Sequence, residues 1–265
     1  MPDLKLSEIW IHPIKSLGGI KLSSAFVMRK GLQYDRRWML VDETGKFMTQ
    51  RIFPAMALFK VSIDDVHLTI THRDHYLKMN LGAHEKLEPL KVTIWNDTVI
   101  AYEVATGYSQ WFSDLLGVRC KLVFFPEEHA RPVDPVYKVN DEHVSLADAY
   151  PFLIIGQSSL NDLNNRLHEA VPINRFRPNF VFTGGEAYAE DTWRNFKIGD
   201  LRFVGVKLCA RCILTTVNQD TGEKGTEPLK TLATYRKQEN RILFGQNLVA
   251  LDQGLINIGD SIQLK

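Results

Sequence analysis

The chain has few cysteines, no long apolar run and almost no net charge, and each shortage removes a class of protein. Three cysteines in 265 residues, an odd and scattered set, do not make the disulfide framework of a small secreted domain. The opening stretch, Met1 to Trp10, lacks the basic-then-apolar order of a secretion signal, so the expected compartment is the cytoplasm. No apolar stretch approaches the roughly 18 residues that span a bilayer. The longest are short, such as Phe152 to Ile155. With 32 Lys and Arg against 31 Asp and Glu, nothing global attracts nucleic acid or an anionic membrane, and any anion site must be local. What is present is the balance of a soluble globular protein, 45% hydrophobic and 24% charged, long enough for one large domain or two ordinary ones.

Residues 1–125 read mainly as short strands, at 7–11, 38–41, 46–49, 58–63, 67–71, 90–94 and 99–102. Turn chemistry separates them, as in Asp42-Glu43-Thr44-Gly45, Asp64-Asp65 and Asn96-Asp97, at the intervals of a meander or barrel. One helix is expected over Thr106–Leu116, with Thr106 as N-cap and Gly117 as its stop, before a strand at 121–125. Three prolines among charges between Pro126 and Pro135 forbid a helix or central strand and suggest a domain boundary, giving domains 1–125 and 126–265. The second opens with a strand at 152–155 and a helix capped by Ser158 or Ser159, with Leu160, Leu163 and Leu167 at helical spacing. Strands are expected again at 180–182, 201–207, 213–217, 248–251 and 256–258, and a short helix from Pro228 to Tyr235. Ile-Gly-Asp occurs at Ile198 and Ile258, each time as a turn into an apolar run. The expected fold class is mainly β with a few helices, a barrel or sandwich rather than a doubly wound sheet.

The chemistry concentrates at Cys209-Ala210-Arg211-Cys212-Ile213-Leu214-Thr215-Thr216, where two of the three thiols flank a guanidinium ahead of the predicted 213–217 strand. Two thiols at that spacing can share a metal, form a disulfide or act singly, and the arginine biases either sulfur toward the thiolate. Structural zinc needs two further ligands, and no second Cys-x-x-Cys or close His pair offers them; Cys120 is far off in sequence. A thioredoxin-like pair would open a helix rather than precede a strand, and two buried structural thiols are the plain alternative. Arg175-Phe176-Arg177-Pro178-Asn179 suits bidentate grip of a phosphate, or is an ordinary arginine-bearing loop. His12-Pro13-Ile14-Lys15-Ser16 ends the first strand with a cation and a hydroxyl; Asp35-Arg36-Arg37-Trp38 adds another cationic cluster; Phe244-Gly245-Gln246-Asn247 offers a glycine and two amides.

In this order the segments resemble the MOSC-domain proteins with an N-terminal β-barrel domain, the group that includes the mitochondrial amidoxime-reducing component and its bacterial relatives. Ser159-Leu160 with Asp162-Leu163-Asn164, Glu190-Asp191-Thr192-Trp193 and Glu227-Pro228-Leu229 extend the match over nearly the whole chain. The resemblance implies a molybdenum cofactor, a phosphate-bearing pterin dithiolene, with Cys212 as the protein's thiolate ligand to the metal and Cys209 as a neighbouring thiol or substitute ligand. It further implies that Lys15, Ser16, Arg36, Ser159, Arg177, Asn179 and Arg211 hold the pterin or its phosphate. Arg37 is the alternative to Arg36, because side chains alternate along a strand. Asp191 is a candidate proton-relay carboxylate, or an ordinary salt-bridging one.

Ala210 departs from the serine common between the two cysteines. The sequence also carries no four-cysteine set for an iron–sulfur cluster, so the expected electron source is a separate flavoprotein or iron–sulfur protein. The implied activity is two-electron reduction of small N-hydroxylated compounds (amidoximes, hydroxylamines, N-hydroxylated bases), a detoxification role with neither nucleic acid nor membrane as partner. Two other readings stay open: a non-catalytic molybdenum-cofactor or sulfur-carrier module, and a plain phosphate-ligand binder.

Overall fold

The computed structural model describes residues 3–82 and 88–265. Its largest sheet has the strand order Ile262–Leu264, Asn195–Ile198, Leu201–Arg211, Arg241–Ala250, Phe152–Gly156, Phe180–Thr183, Lys5–Ile11 and Ile20–Leu22, with Lys237–Gln238 attached to Arg241–Ala250. Only Phe152–Gly156 and Phe180–Thr183 run parallel, and the helix Gln157–Arg166 supplies the crossover that a parallel pair requires. Phe152–Gly156 is buried at every residue, which explains its unbroken apolar sequence. Around it Phe152 stacks on Phe180 at 5.5 Å, while Phe203 meets both rings edge-on at 5.7 and 5.6 Å. Each such buried ring contributes roughly 1.5–3 kcal/mol relative to exposure.

A second sheet orders Trp38–Val41, Lys121–Phe124, Asp97–Glu103 and Pro89–Ile94, and its core with the helix Thr106–Leu116 is built on Trp38, Phe59 and Phe112. Two three-stranded sheets complete the mainly β architecture that the sequence predicts: Lys60–Ile63, His67–His72 and His75–Asn80; and Gly254–Asn257, Ser24–Met28 and Gly31–Leu32. Hydrogen bonding crosses residue 125 freely. Lys5–Ile11 pairs with Phe180–Thr183, and Ser24–Met28 with Gly254–Asn257, so the first strands of the chain sit among the last. Between them, residues 126–150 run without a strand or helix. Buried Lys30 fastens this run to the body through the Pro126 carbonyl and buried Arg131 through Asp97 at 2.8 Å, while Arg131 also folds the run on itself through the carbonyls of Ser145 and Ala147. No helix among the described residues is long and apolar enough to cross a membrane.

Several local expectations give way to side-chain hydrogen bonds. Residues 213–217 form a 3-10 turn, Ile213–Thr216, instead of a strand, because the hydroxyls of Thr215 and Thr216 donate to the carbonyls of Cys212 and Ile213 at 3.0 and 2.8 Å. Ser159 does not cap its helix. Gly156 takes the N-cap position while the Ser159 hydroxyl is given to buried Glu190 at 2.9 Å. Ala105 precedes Thr106–Leu116 in place of a capping Thr106, whereas Gly117 does stop that helix, at φ 68°. Residues 46–49 are held by isolated bridges instead of a strand ladder. The paired Ile-Gly-Asp turns lie side by side, since Asn195–Ile198 pairs with Ile262–Leu264.

The tightest backbone approach in the main sheet is at Gly205, where an added Cβ would press on the Trp193 carbonyl and lie 2.7 Å from Gln246 Nε2. Gly205→Ala is therefore expected to cost on the order of 1–3 kcal/mol by overpacking. A urea midpoint equal to wild type would show that Trp193 can move aside.

Candidate active site

A cleft of about 850 Å³ opens where the segment after Lys5–Ile11 meets the segments before Phe180–Thr183 and at the end of Leu201–Arg211. Its first wall is shaped by backbone ties. Lys5–Ile11 ends, and Lys15 N–H donates to the Trp38 carbonyl at 2.8 Å while Trp38 N–H donates back to Pro13 at 3.1 Å. Those bonds, with Ile14 and Leu17 buried on the core side, turn Lys15 and Ser16 to the cleft. Buried Asp35 accepts from His12 N–H at 2.7 Å and from Arg36 Nη1 at 2.6 Å, and Arg36 Nη2 reaches the Arg177 carbonyl at 3.0 Å. Arg177 Nη1 in turn donates to the Leu17 carbonyl at 2.6 Å. Arg36, not Arg37, faces the cleft; Arg37 is turned to Glu127 at 2.8 Å.

Of the eight described non-glycine residues with positive φ, four line this cleft: Ser16 (68°), Arg36 (50°), Trp95 (55°) and Arg177 (55°). Such backbone strain persists where surrounding structure over-determines it, and it clusters at functional sites.

The electrostatics are those of an incomplete anion site. Burial brings Arg177 down to about 9, with the Arg36 charge acting in the same direction. Arg177 Nη2 and Arg211 Nε, both buried, have no hydrogen-bond partner among the described residues. Lys15 is brought down to about 8 by burial, against the pull of Asp148, whose carboxylate it meets at 2.5 Å. Asp148 is half exposed at the cleft. Burial pushes its carboxyl up, but the Lys15 ammonium and the Arg51 guanidinium overcome this and hold it well below the usual carboxylate range.

The two thiols have different partners. Leu201–Arg211 keeps its strand conformation through Arg211, and Cys212 continues it at φ −129°, ψ 177°. Residues 209 and 211 therefore share one face, and Arg211 Nη1 donates to Cys209 Sγ at 2.9 Å. The guanidinium on Cys212 comes from elsewhere: Arg51 Nε donates to its Sγ at 3.2 Å, with Arg51 also bonded to Asp148 and stacked over the Trp95 indole at 4.4 Å. This corrects the expectation that Arg211 serves whichever sulfur is the reactive one. Three residues of extended chain also set Cys209 and Cys212 about 10 Å apart at Cα. That is beyond the reach of a disulfide without backbone movement, and the thiols are free. No group of three or more His, Cys, Asp or Glu among the described residues converges as a metal site.

Lys15, Ser16, Arg36, Arg177, Asn179, Arg211 and Cys212 thus come together, with Cys209 and Asn247. Ser159 and Asp191 do not. Ser159 is fully buried against Glu190, and Asp191 is ion-paired to Arg236 at 2.5 Å beside Tyr188, away from the cleft. Arg175 likewise points to the Thr215 carbonyl at 3.3 Å, and Gln246 is buried against Trp193.

Residues 3–119 match the profile of the MOSC N-terminal beta barrel domain and residues 141–263 that of the MOSC domain. The chain belongs to the MOSC family. This MOSC protein is 35% identical over 98% of its length to mitochondrial amidoxime-reducing component 1 of Mus musculus, covering 82% of that protein. It is 33% identical to the Homo sapiens protein of the same name, with the same coverage. It is also 32% identical over 92% of its length to the molybdenum cofactor sulfurase of Arabidopsis thaliana, of which it spans 33%.

Sequence reasoning missed Arg51, Asp148 and Trp95. Arg51 and Asp148 sit in no motif, since they act on each other across a separation of 97 positions. Trp95 did carry a signal, a bulky aromatic at a tight-turn position beside Asn96.

Lys15 sits at about 8 in the fold against 10.5 for a solvated lysine, so between those values the unfolded chain binds the extra proton and stability rises with pH. Below about 8 the burial penalty on the ammonium is fully present. Lys30, also brought down to about 8 by burial, contributes in the same window. Lys15→Met is expected to flatten part of this rise in urea denaturation at stepped pH; an unchanged slope would acquit Lys15.

Proposed function

We propose that this MOSC protein is a cytoplasmic, molybdenum-cofactor-dependent reductase of N-hydroxylated compounds, with Cys212 as the thiolate ligand to the metal. The observation that carries the reading is the Cys212 thiol on the wall of a cation-rich cleft, hydrogen-bonded by Arg51, in a chain similar along its length to amidoxime-reducing components. The residues present fit such a group. A soft thiolate suits a molybdenum–sulfur centre. The unpartnered nitrogens of Arg177 and Arg211 call for an anion, and the cleft volume lies in the usual range for ligand sites.

In this reading Lys15, Ser16, Arg36, Arg177, Asn179 and Arg211 hold the pterin and its phosphate through charge-assisted hydrogen bonds. When bound, the molybdenum centre would supply two electrons and accept the hydroxyl oxygen. The net change is R–N–OH plus two electrons and two protons to R–N–H plus water. The chain's own residues bind and orient: Arg51 fixes the Cys212 sulfur, Asp148 fixes Arg51, and residues of the 126–150 run line one side of the cleft. Lys15 Nζ, brought down to about 8, holds a proton more readily given up than that of a solvated lysine. Electrons come from a separate flavoprotein or iron–sulfur protein, and the physiological role is detoxification.

Similarity to the molybdenum cofactor sulfurase favours one other reading, a module that carries cofactor or sulfur without turnover. Elemental analysis of wild type and Cys212→Ala from a cofactor-competent host separates the two when paired with a benzamidoxime assay using a chemical reductant. Expected are near-stoichiometric molybdenum in wild type, its loss in the variant with circular dichroism unchanged, and benzamidine formation by wild type alone. Metal without turnover would favour the carrier. No metal in folded wild type would overturn the reductase reading and move the weight to a binding module.

A further inference from the structure

Among the cleft residues, Trp95 puts a half-open aromatic at a strained turn, tied to the cleft by a side-chain hydrogen bond with Asp148. Pro89–Ile94 and Asp97–Glu103 form a hairpin in which Asp97 pairs with Ile94, so Trp95 and Asn96 are its two-residue turn. At the first turn position φ is 55°, which glycine or asparagine adopts with little strain and a bulky aromatic does not. Burial does not compensate, for Trp95 is 48% exposed. The Phe47 ring lies tilted against it at 5.1 Å, and the Arg51 guanidinium covers part of it at 4.4 Å. That same guanidinium donates to Cys212 Sγ at 3.2 Å, so a half-open indole stands one guanidinium away from the thiol.

We infer that Trp95 is a specificity-determining residue: its open indole surface receives the planar, conjugated part of the substrate, and so favours arylamidoximes and N-hydroxylated heterocycles over saturated aliphatic N-hydroxylated compounds. The inference rests on the cleft being the reductase site. A flat π-system offers an indole both apolar area and a complementary quadrupole, whereas a small aliphatic group offers little of either. The strained turn is retained because an asparagine or glycine there would leave no such surface.

The test uses Trp95→Gly, whose φ is native to glycine so that the hairpin is kept, and Trp95→Phe, which keeps a ring. Dissociation constants for benzamidoxime and acetamidoxime are measured by calorimetry on purified holoprotein, with KM and kcat for both. Trp95→Gly is expected to weaken benzamidoxime binding about ten-fold and acetamidoxime less than two-fold, with Trp95→Phe restoring most of the loss. The benzamidoxime effect should fall on KM more than on kcat. Equal losses for the two probes would mean that Trp95 only props Arg51, and would overturn the inference, as would no loss or no binding of benzamidoxime by wild type. Trp95-dependent binding without reduction would instead sink the reductase reading and leave the role of Trp95 standing.

Discussion

The antiparallel pairing of Lys5–Ile11 with Phe180–Thr183 is the constraint on which the cleft depends. It joins segments some 174 positions apart in sequence, and Ile9, Ile11, Phe180 and Phe182 are buried along it. Closing so long a loop costs little more than closing one of half its length, because the entropy grows only with the logarithm, so burial of these side chains offsets it. The pairing continues past the strands. Trp10 N–H donates to the Asn179 carbonyl at 2.8 Å, and Asn179 Nδ2 returns a bond to the Trp10 carbonyl at 3.2 Å. Two cation-bearing segments, His12–Ser16 and Arg177–Asn179, therefore leave the sheet side by side, and Asp35 and Arg36 close the gap between them.

Concentrating cations in this way creates an electrostatic debt that the protein settles only in part. Asp35 is committed to Arg36 and the His12 amide, and Asp148 to Lys15 and Arg51. Arg177, buried and next to Arg36, has no carboxylate of its own and keeps a nitrogen without a partner. An unpaired buried charge is destabilising by an amount a bound anion would relieve, so the same features that weaken the empty fold favour an anionic ligand. The thiols follow a parallel logic: extended backbone from Cys209 to Cys212 keeps them too far apart to quench each other, and each sulfur has its own guanidinium.

Much of the architecture was legible because strand alternation and turn chemistry are local. The 152–155 strand, the Thr106–Leu116 helix and its Gly117 stop all follow from residues within a few positions. Seven of the nine site residues expected from the sequence also line the cleft, among them Lys15, Arg36, Arg177 and Cys212. What stayed hidden depends on which side chain meets which. Thr215 and Thr216 have strand propensity, yet their hydroxyls close a turn on the preceding carbonyls. Ser159 reads as a helix cap but is drawn to Glu190 from 31 positions away. Arg211 is the sequence neighbour of Cys212, but alternation directs it to Cys209, and the guanidinium at Cys212 arrives from Arg51.

Strain gives the last step. Ser16, Arg36, Trp95 and Arg177 each hold a positive φ at a cost on the order of 1–3 kcal/mol, and each position would accept glycine more cheaply if only the backbone mattered. The conformations are enforced by neighbours: Arg36 N–H bonds to the His12 carbonyl, Arg177 N–H to that of Asn174, and Trp95 lies between two paired strands. A fold that enforces four such conformations around one cleft, and keeps a hydroxyl, two guanidiniums and an indole there, is less stable than one that relaxed them. The side chains, not the backbone, account for their retention. Because all four sit within a single concavity beside a free thiol, the strain is best understood as the energetic cost of a preorganised binding site, set before any ligand arrives.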